Sequence, residues 1–472
     1  MRHRKKRHKM SGASIPCWIA IMAAALAALP GCKVGTPLDA EELKAQLPTA
    51  PSFGVGSAEQ VEEGWLASFG DENLTALTIE ALENNPDLQA SAARVEVAVG
   101  HARQAGAMIG PVVSLGAGAY AADDTAGGSR GGAVLQLSWE ADIWGRLGSL
   151  ESAAQNRYMA AELTYAYARQ SLAAQVAKSW FFCIETREQL RVAEEATELY
   201  QQTLEITSAM FDHGAIGQEN VHLARADLAS AKEASRSATE AEVQARLALE
   251  VLLGRYPSSE LAVTAGFSEL TSQVPAGMPS ELLERRPDIV AAERRVAAAF
   301  EATSAAQAAR LPRISITAGG GAVSSDFQSF GTPSGPFWAF GGNLLAPLFD
   351  GGYLESEEDI ATAEQKGAVA EYRAAGLQAF AEVESALVSE KLLREREAFL
   401  VETLGENTDA WELAQARFAA GEINLLSVLQ LQRRVLNARV GLLDIRGRRR
   451  AQRVQLHLSL GGNFEIPKPQ VE

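Results

Sequence analysis

Three cysteines, six histidines and one glycine run are the features of this 472-residue chain whose types invite chemistry. A metal site needs ligands at short, matched spacings. His3, His8, His101, His213, His222 and His457 show none, and His213 and His222 flank a turn signal nine positions apart. No H-E-x-x-H, C-x-x-C, G-x-S-x-G or phosphate-loop pattern occurs. Gly319-Gly320-Gly321 sits inside an alternating strand pattern, where close strand packing explains it better than phosphate binding. Asp123-Asp124 reads as exposed loop charge. Cys183, within Trp180-Phe181-Phe182-Cys183-Ile184, reads as a buried structural thiol. The sequence therefore predicts no catalytic residue, no metal site and no cofactor.

Cys32 is the exception. Arg2, Arg4, Lys5, Lys6, Arg7 and Lys9 precede an apolar run from Cys17 to Leu29, which ends in Leu29-Pro30-Gly31-Cys32. A basic segment before an apolar stretch of about 7–15 residues is a secretory signal, too short to span a bilayer. Its end resembles the bacterial lipobox, which implies cleavage after residue 31 and a covalent lipid, including palmitate, on Cys32. Several acyl chains at about 0.8 kcal/mol per buried methylene hold such a protein stably at a membrane. Lys33, where an aspartate would signal inner-membrane retention, favours the outer membrane. The whole chain carries a net charge of −16 and the only charged residues of the signal are basic, so the mature chain is more acidic still. That excludes nucleic-acid binding by phosphate neutralisation. Cys17 leaves with the signal and Cys32 is lipidated, so Cys183 has no intrachain disulfide partner. No run of about 20 apolar residues follows residue 32, so any membrane span of the mature chain must be a β-barrel.

The elements that position these residues are written twice. Asn85-Pro86-Asp87-Leu88 recurs as Arg286-Pro287-Asp288-Ile289, and Pro111 as Pro312, at an offset of 201. Phe211-x-x-Gly214 recurs as Phe418-x-x-Gly421, and Leu253-Gly254 as Leu460-Gly461, at an offset of 207. An insertion of about six residues in the second copy, placed between Val323 and Pro336, reconciles the two. Each copy opens with a helix (71–109; 280–310) broken near its start by Pro86 or Pro287 and stopped by Pro111 or Pro312. A hairpin follows (111–142; 313–347). In it Val113, Leu115, Ala117 and Ala119 alternate with Ser114, Gly116 and Gly118, and Ala133, Leu135, Leu137 and Trp139 with Val134, Gln136, Ser138 and Glu140. Ile314, Ile316 and Ala318 alternate with Ser315, Thr317 and Gly319, and Trp338, Phe340 and Leu344 with Ala339, Gly341 and Asn343. About ten alternating residues match a tilted transmembrane strand. A long helix comes next (147–212; 353–420), reaching roughly 100 Å if unbroken. Glycine then turns the chain into a return helix (215–253; 422–460), in which Leu425, Leu429, Leu436, Val440 and Leu443 read as a coiled-coil seam. Two hairpins give four strands, which cannot close, so oligomerisation is required if they lie in lipid. Three copies would supply twelve.

This duplicated plan resembles the TolC-type outer membrane factor family, in its NodT-like lipoprotein branch that serves resistance-nodulation-division pumps. Matching stretches are Trp65-x-x-x-Phe69-Gly70-Asp71, Pro86-Asp87-Leu88, Pro287-Asp288-Ile289, Trp139-Glu140-Ala141-Asp142-Ile143-Trp144-Gly145-Arg146 and Pro347-Leu348-Phe349-Asp350-Gly351-Gly352. The turns Gly214-Ala215-Ile216 and Gly421-Glu422-Ile423 match too. The resemblance implies an α+β membrane protein, a homotrimer with a twelve-stranded β-barrel continued by an antiparallel helical periplasmic barrel. It assigns residues 32–70, 255–279 and 462–472 to the lipidated segment, equatorial parts and tail, around repeats 71–254 and 280–461. It implies a passive exit duct for drugs or other small molecules, powered by an inner-membrane transporter through a periplasmic adaptor that meets Gly214, Ala215, Ile216, Gly421, Glu422 and Ile423. It also implies a periplasmic gate at Leu426, Gln430 and Arg433, with Leu426 as the hydrophobic constriction. Ser427 and Gln430 depart from the aspartates relatives often carry, so we expect a gate without an acidic ring, less sensitive to pH and divalent cations. Rival readings are a type I secretion or heavy-metal efflux channel and, from a different class, a lipid-anchored periplasmic coiled-coil scaffold.

Overall fold

The computed structural model describes residues 34–35, 40–47, 53–54, 64–120, 130–263, 266–270, 279–324 and 336–464. The expected signal peptide, Cys32, Lys33, Asp123-Asp124, most of the expected insertion and most of the expected C-terminal tail lie outside them.

Proline and glycine write most of the boundaries. After the short helix α1 (Ala40–Ala45), a 3₁₀ turn at Ala67–Phe69 leads to Asp71, whose carboxylate caps α2 (Glu72–Asn84) by accepting from the Asn73 and Leu74 amides. Asn85 is extended, as a residue before proline tends to be, and α3 (Pro86–Ala107) begins at the proline. Strands β1 (Val112–Tyr120) and β2 (Arg130–Ala141) follow, then α4 (Arg146–Asp212) and α5 (Gln218–Leu252). The second half runs α6 (Pro279–Arg285), α7 (Pro287–Ala309), β3 (Arg313–Ser324), β4 (Pro336–Leu345), α8 (Tyr353–Ala419) and α9 (Leu425–Ser459). Helices α4 and α8 have 67 residues each, and α5 and α9 have 35 each. The return helices start at Gln218 and Leu425, because the chain is still extended at the N-caps Gly217 and Asn424. No helix among the described residues is long and apolar enough to cross a membrane.

The chain divides into two compact units. One contains Gly100–Asn156 and Val296–Gly367, and its centre is an antiparallel sheet in the order β1-β2-β3-β4. The register pairs Leu115 with Leu135, Leu135 with Gly320 and Gly320 with Trp338, so these share one face. Followed along the strands, that face carries Val113, Ala117, Leu137, Trp139, Ile316, Ala318, Phe340 and Leu344, and its one polar position among the described strand residues is Ser324, at the end of β3. Ser114, Gln136, Ser138, Glu140, Ser315, Thr317 and Asn343 all fall on the other. Strands β1 and β4 each have one unpaired edge among the described residues. Gly321 allows β3 to run close to β2, since a Cβ there would meet the Val134 Cα at 3.0 Å and the Ala133 carbonyl. At the sheet base, the Trp139 indole donates to the Ile109 carbonyl and the Trp144 indole to the Pro312 carbonyl, both at 2.8 Å. Glu140 accepts from Arg146 Nε and Nη2, one edge of the guanidinium, and Asp142 caps α4 by accepting from the Leu147 and Gly148 amides.

The other unit contains Asp39–Val99, Arg157–Arg295 and the chain from Ala368 onward. Its core gathers Trp65, Phe69, Leu74, Trp180, Phe181, Leu249, Val454 and Phe464. Trp65 stacks on His457 with ring centroids 5.6 Å apart, and Trp180 donates to Asp71 at 2.7 Å. Buried Arg286 holds Asp288 and Glu382 at 2.7 Å each and donates to the Ser459 carbonyl. In the first half Asn85 donates to Leu252, the matching end of the return helix.

Gly254 and Gly461 close α5 and α9 with left-handed φ of 75° and 67°. A Cβ on Gly254 would sit 2.5 Å from the Asn84 carbonyl oxygen, whereas one on Gly214 meets nothing within 4 Å. Gly214→Ala should therefore cost only the left-handed penalty, about 1–2 kcal/mol, and Gly254→Ala roughly 2–5 kcal/mol once overpacking is added. Thermal unfolding of the two variants, compared with the parent, measures the gap.

Candidate functional site

At the ends of the long helices, identical caps make the turns. The Gly214 amide donates to Phe211 and the Ala215 amide to Met210; Gly421 and Glu422 do the same to Phe418 and Arg417, all at 2.8–2.9 Å. Both glycines have φ above 70°, the conformation that keeps the cap open to few other residues. Gly214, Ala215, Gly421 and Glu422 are exposed and Ile216 and Ile423 half-buried, with Arg417 bridging Glu422 at 3.1 Å.

Helix α9 sorts its residues into two stripes. Val428, Leu429, Gln432, Val435, Ala438, Leu442 and Ile445 are buried, and Leu429 packs with Tyr200 and Leu228. Leu426, Gln430, Arg433, Asn437 and Val440 form an exposed stripe at steps of three and four. Val440 thus leaves the expected seam, because the intrachain contacts of α9 follow Val435, Ala438 and Leu442 instead. Leu426 is 46% exposed, large for a leucine on a packed helix. Arg433 makes no ion pair among the described residues. Ser427 does not project freely: its hydroxyl and amide both go to the Asn424 carboxamide oxygen, at 2.8 and 3.0 Å. Gln430 is the residue of the departing pair left to face outward.

Further along α9, arginines meet acids of α8. Glu397 takes Arg446 and Arg449 at 3.0 and 2.8 Å, and Glu390 takes Arg453 at 2.6 Å. Arg450 lies over the Phe267 ring at 4.3 Å and donates to the Ser268 carbonyl; burial first, and then Arg446, Arg449 and Arg453, push its pKa down to about 10 against the pull of Glu397.

The reactive side chains are accounted for structurally. Burial pushes the Cys183 thiol up to about 12, so it carries no thiolate at neutral pH. Burial, helped by Arg453, pushes His457 down to about 3 and keeps it neutral. No group of three His, Cys, Asp or Glu among the described residues could hold a metal ion.

One titrating group had no forewarning in spacing beyond an acid ending the Trp180–Ile184 apolar run. The Glu185 carboxylate occupies the notch where Gly447 has no side chain. Burial, with Asp444 adding and Arg448 and Gln189 opposing, pushes its pKa up to about 7. The folded chain therefore holds a proton that the unfolded chain releases near 4.5. Stability should be greatest below that value, fall as pH rises to about 7, and level off above it. Glu185→Gln should flatten this slope, which melting curves from pH 4.5 to 8 would measure.

A sheet with one predominantly apolar face and unpaired outer edges among the described residues is of the class that lies in a membrane. The chain matches the family described as outer membrane efflux protein over residues 77–255 and 278–462. It is 30% identical over 458 residues to the cation efflux system protein CusC of Escherichia coli O6:H1, covering 95% of this chain and 99% of that one. It is 30% identical over 463 residues to the pyoverdine export outer membrane protein OpmQ of Pseudomonas putida, covering 92% and 97%. A crystal structure of CusC superposes with a TM-score of 0.83 at 27% identity, covering 92% of this chain and 100% of that chain. The chain belongs to the outer membrane efflux protein family. It is an outer-membrane efflux channel that extends into the periplasm, and not an enzyme. Channels of this family form trimers and work with periplasmic adaptors and inner-membrane transporters in tripartite pumps.

Proposed function

We propose that three copies of this chain, each a tandem duplicate, close their sheets into one twelve-stranded barrel. The sheet register carries this reading. It gives each chain one face fit for lipid, one fit for water, and two edges whose amides need partners. Elements recurring at 201 and 207 residues support the duplication. The long helices continue the barrel as a periplasmic tunnel, Cys32 carries the lipid, and the glycine turns meet the adaptor of a resistance-nodulation-division transporter. Leu426, Gln430 and Arg433 form the constriction, three exposed residues on one stripe of α9. Drugs or other small organic molecules are the cargo, and the acidic chain has no role with nucleic acid.

The similarity to a cation efflux protein favours heavy-metal export as a second reading. Against it, the exposed stripe from Leu426 to Val440 offers no His, Cys or Met to a soft metal. The two separate in an efflux-deficient host expressing the chain with its adaptor and transporter. The small-molecule reading expects reduced accumulation of a fluorescent dye. Restored copper tolerance with unchanged dye accumulation would favour the metal reading.

A further inference from the structure

The exposed stripe of α9 does not stop at Val440. Continued by steps of three or four residues, it passes Asp444 to Arg448 and Gln455. There it borders a cavity of about 530 Å³ between α4, α8 and α9. Lys178, Arg396 and Arg448 contribute three cationic heads, Gln455 an amide, and Leu392 and Leu393 an apolar floor; no acid lines it. Arg448 is balanced by Asp444 at 2.8 Å. Lys178 and Arg396 have no carboxylate partner among the described residues; Lys178 donates only to the Gln455 side chain, at 2.5 Å. Half-buried, the Lys178 ammonium loses hydration without gaining a counter-charge, and burial lowers its pKa. In so acidic a chain such a place is unusual, and its charge asks for an anion. The residues of α9 engaged elsewhere, Arg450, Arg453 and His457, face Phe267, Glu390 and Trp65, on the other side of the helix.

We propose that this cavity is a binding site for an organic anion with an apolar tail. The anionic head sits between Lys178, Arg396 and Arg448, and the tail lies on Leu392 and Leu393. Resting on the reading that the Leu426–Gln430 stripe faces the lumen, the site belongs to the conduit and holds amphiphilic anions on their way out.

The test uses the full-length channel in lipid nanodiscs, with radiolabelled decanoate as probe and empty nanodiscs subtracted. Decanoate should bind, and neither acetate nor decyltrimethylammonium should displace it at equal concentration. The double variant Lys178→Gln, Arg396→Gln should weaken binding about tenfold or more, the weight of one lost charge-assisted contact. The conservative pair Lys178→Arg, Arg396→Lys should retain it. In planar bilayers under a salt gradient, the neutralised variant should also move the reversal potential toward cation selectivity. Unchanged binding in the double variant, or equal displacement by acetate or by the cationic amphiphile, would overturn the site. Binding lost with an unmoved reversal potential would overturn its place in the conduit while leaving the site itself standing.

Discussion

Leu135→Arg should leave almost no heat-sensitive trimer in the outer membrane, while Gln136→Arg, one position along the same strand, should assemble like the parent. Leu135 lies midway along β2, beside Leu115 of β1 and Gly320 of β3, and is 54% exposed on the apolar face. A charge at that depth on a lipid-facing strand costs about 2–4 kcal/mol per chain. Three copies in one closed barrel multiply that cost, which is comparable with the whole stability of many domains. Gln136 pairs with Ser114 and Gly319 on the polar face, where an arginine head stays hydrated and changes only the charge of the lumen. Unheated gels of outer-membrane fractions read the result directly. Equal loss of trimer in both variants would contradict the assignment of faces.

Gln430→Asp should convert a channel that millimolar magnesium barely affects into one that it blocks. In the parent, Gln430 offers a neutral amide on the exposed stripe, and Ser427 is tied to Asn424. Neither builds a field that gathers cations. Three aspartates brought together repel one another, so they hold either a divalent cation or a proton. The blocking concentration should fall roughly tenfold or more, the weight of a charge-assisted contact of about 1.5–3 kcal/mol. The variant's conductance should also rise as pH falls toward 5, where the parent's stays flat. Planar-bilayer recordings with and without magnesium decide it, and strong block of the parent channel would contradict a neutral constriction.

Much of the fold was legible because it is set locally. Pro86, Pro287, Gly214 and Gly421 act through their own backbone restrictions, and the alternation from Val113 to Ala117 follows from the pleat alone. The apolar sets read from each strand join into one face once the register is known. Less legible were features that depend on what a helix packs against. Val440 fits a heptad in sequence, yet α9 turns its Val435, Ala438 and Leu442 side inward. The Trp65-x-x-x-Phe69-Gly70-Asp71 stretch could be recognised but not explained until Asp71 was seen capping α2 and accepting from Trp180. Glu185 and Gly447 are 262 residues apart, and nothing in either neighbourhood foretells that one fills the gap left by the other. At the proposed constriction, Leu426, Gln430 and Arg433 match a family pattern, while the withdrawal of Ser427 into its cap depends on where the Asn424 side chain lies in space.

The central claim is that four strands per chain are completed by two further copies. Multi-angle light scattering of the detergent-extracted, lipidated protein, corrected for bound detergent, measures this most directly. The account predicts a single species with the mass of three mature chains. A stable monomer or dimer that remains folded and membrane-inserted would contradict it.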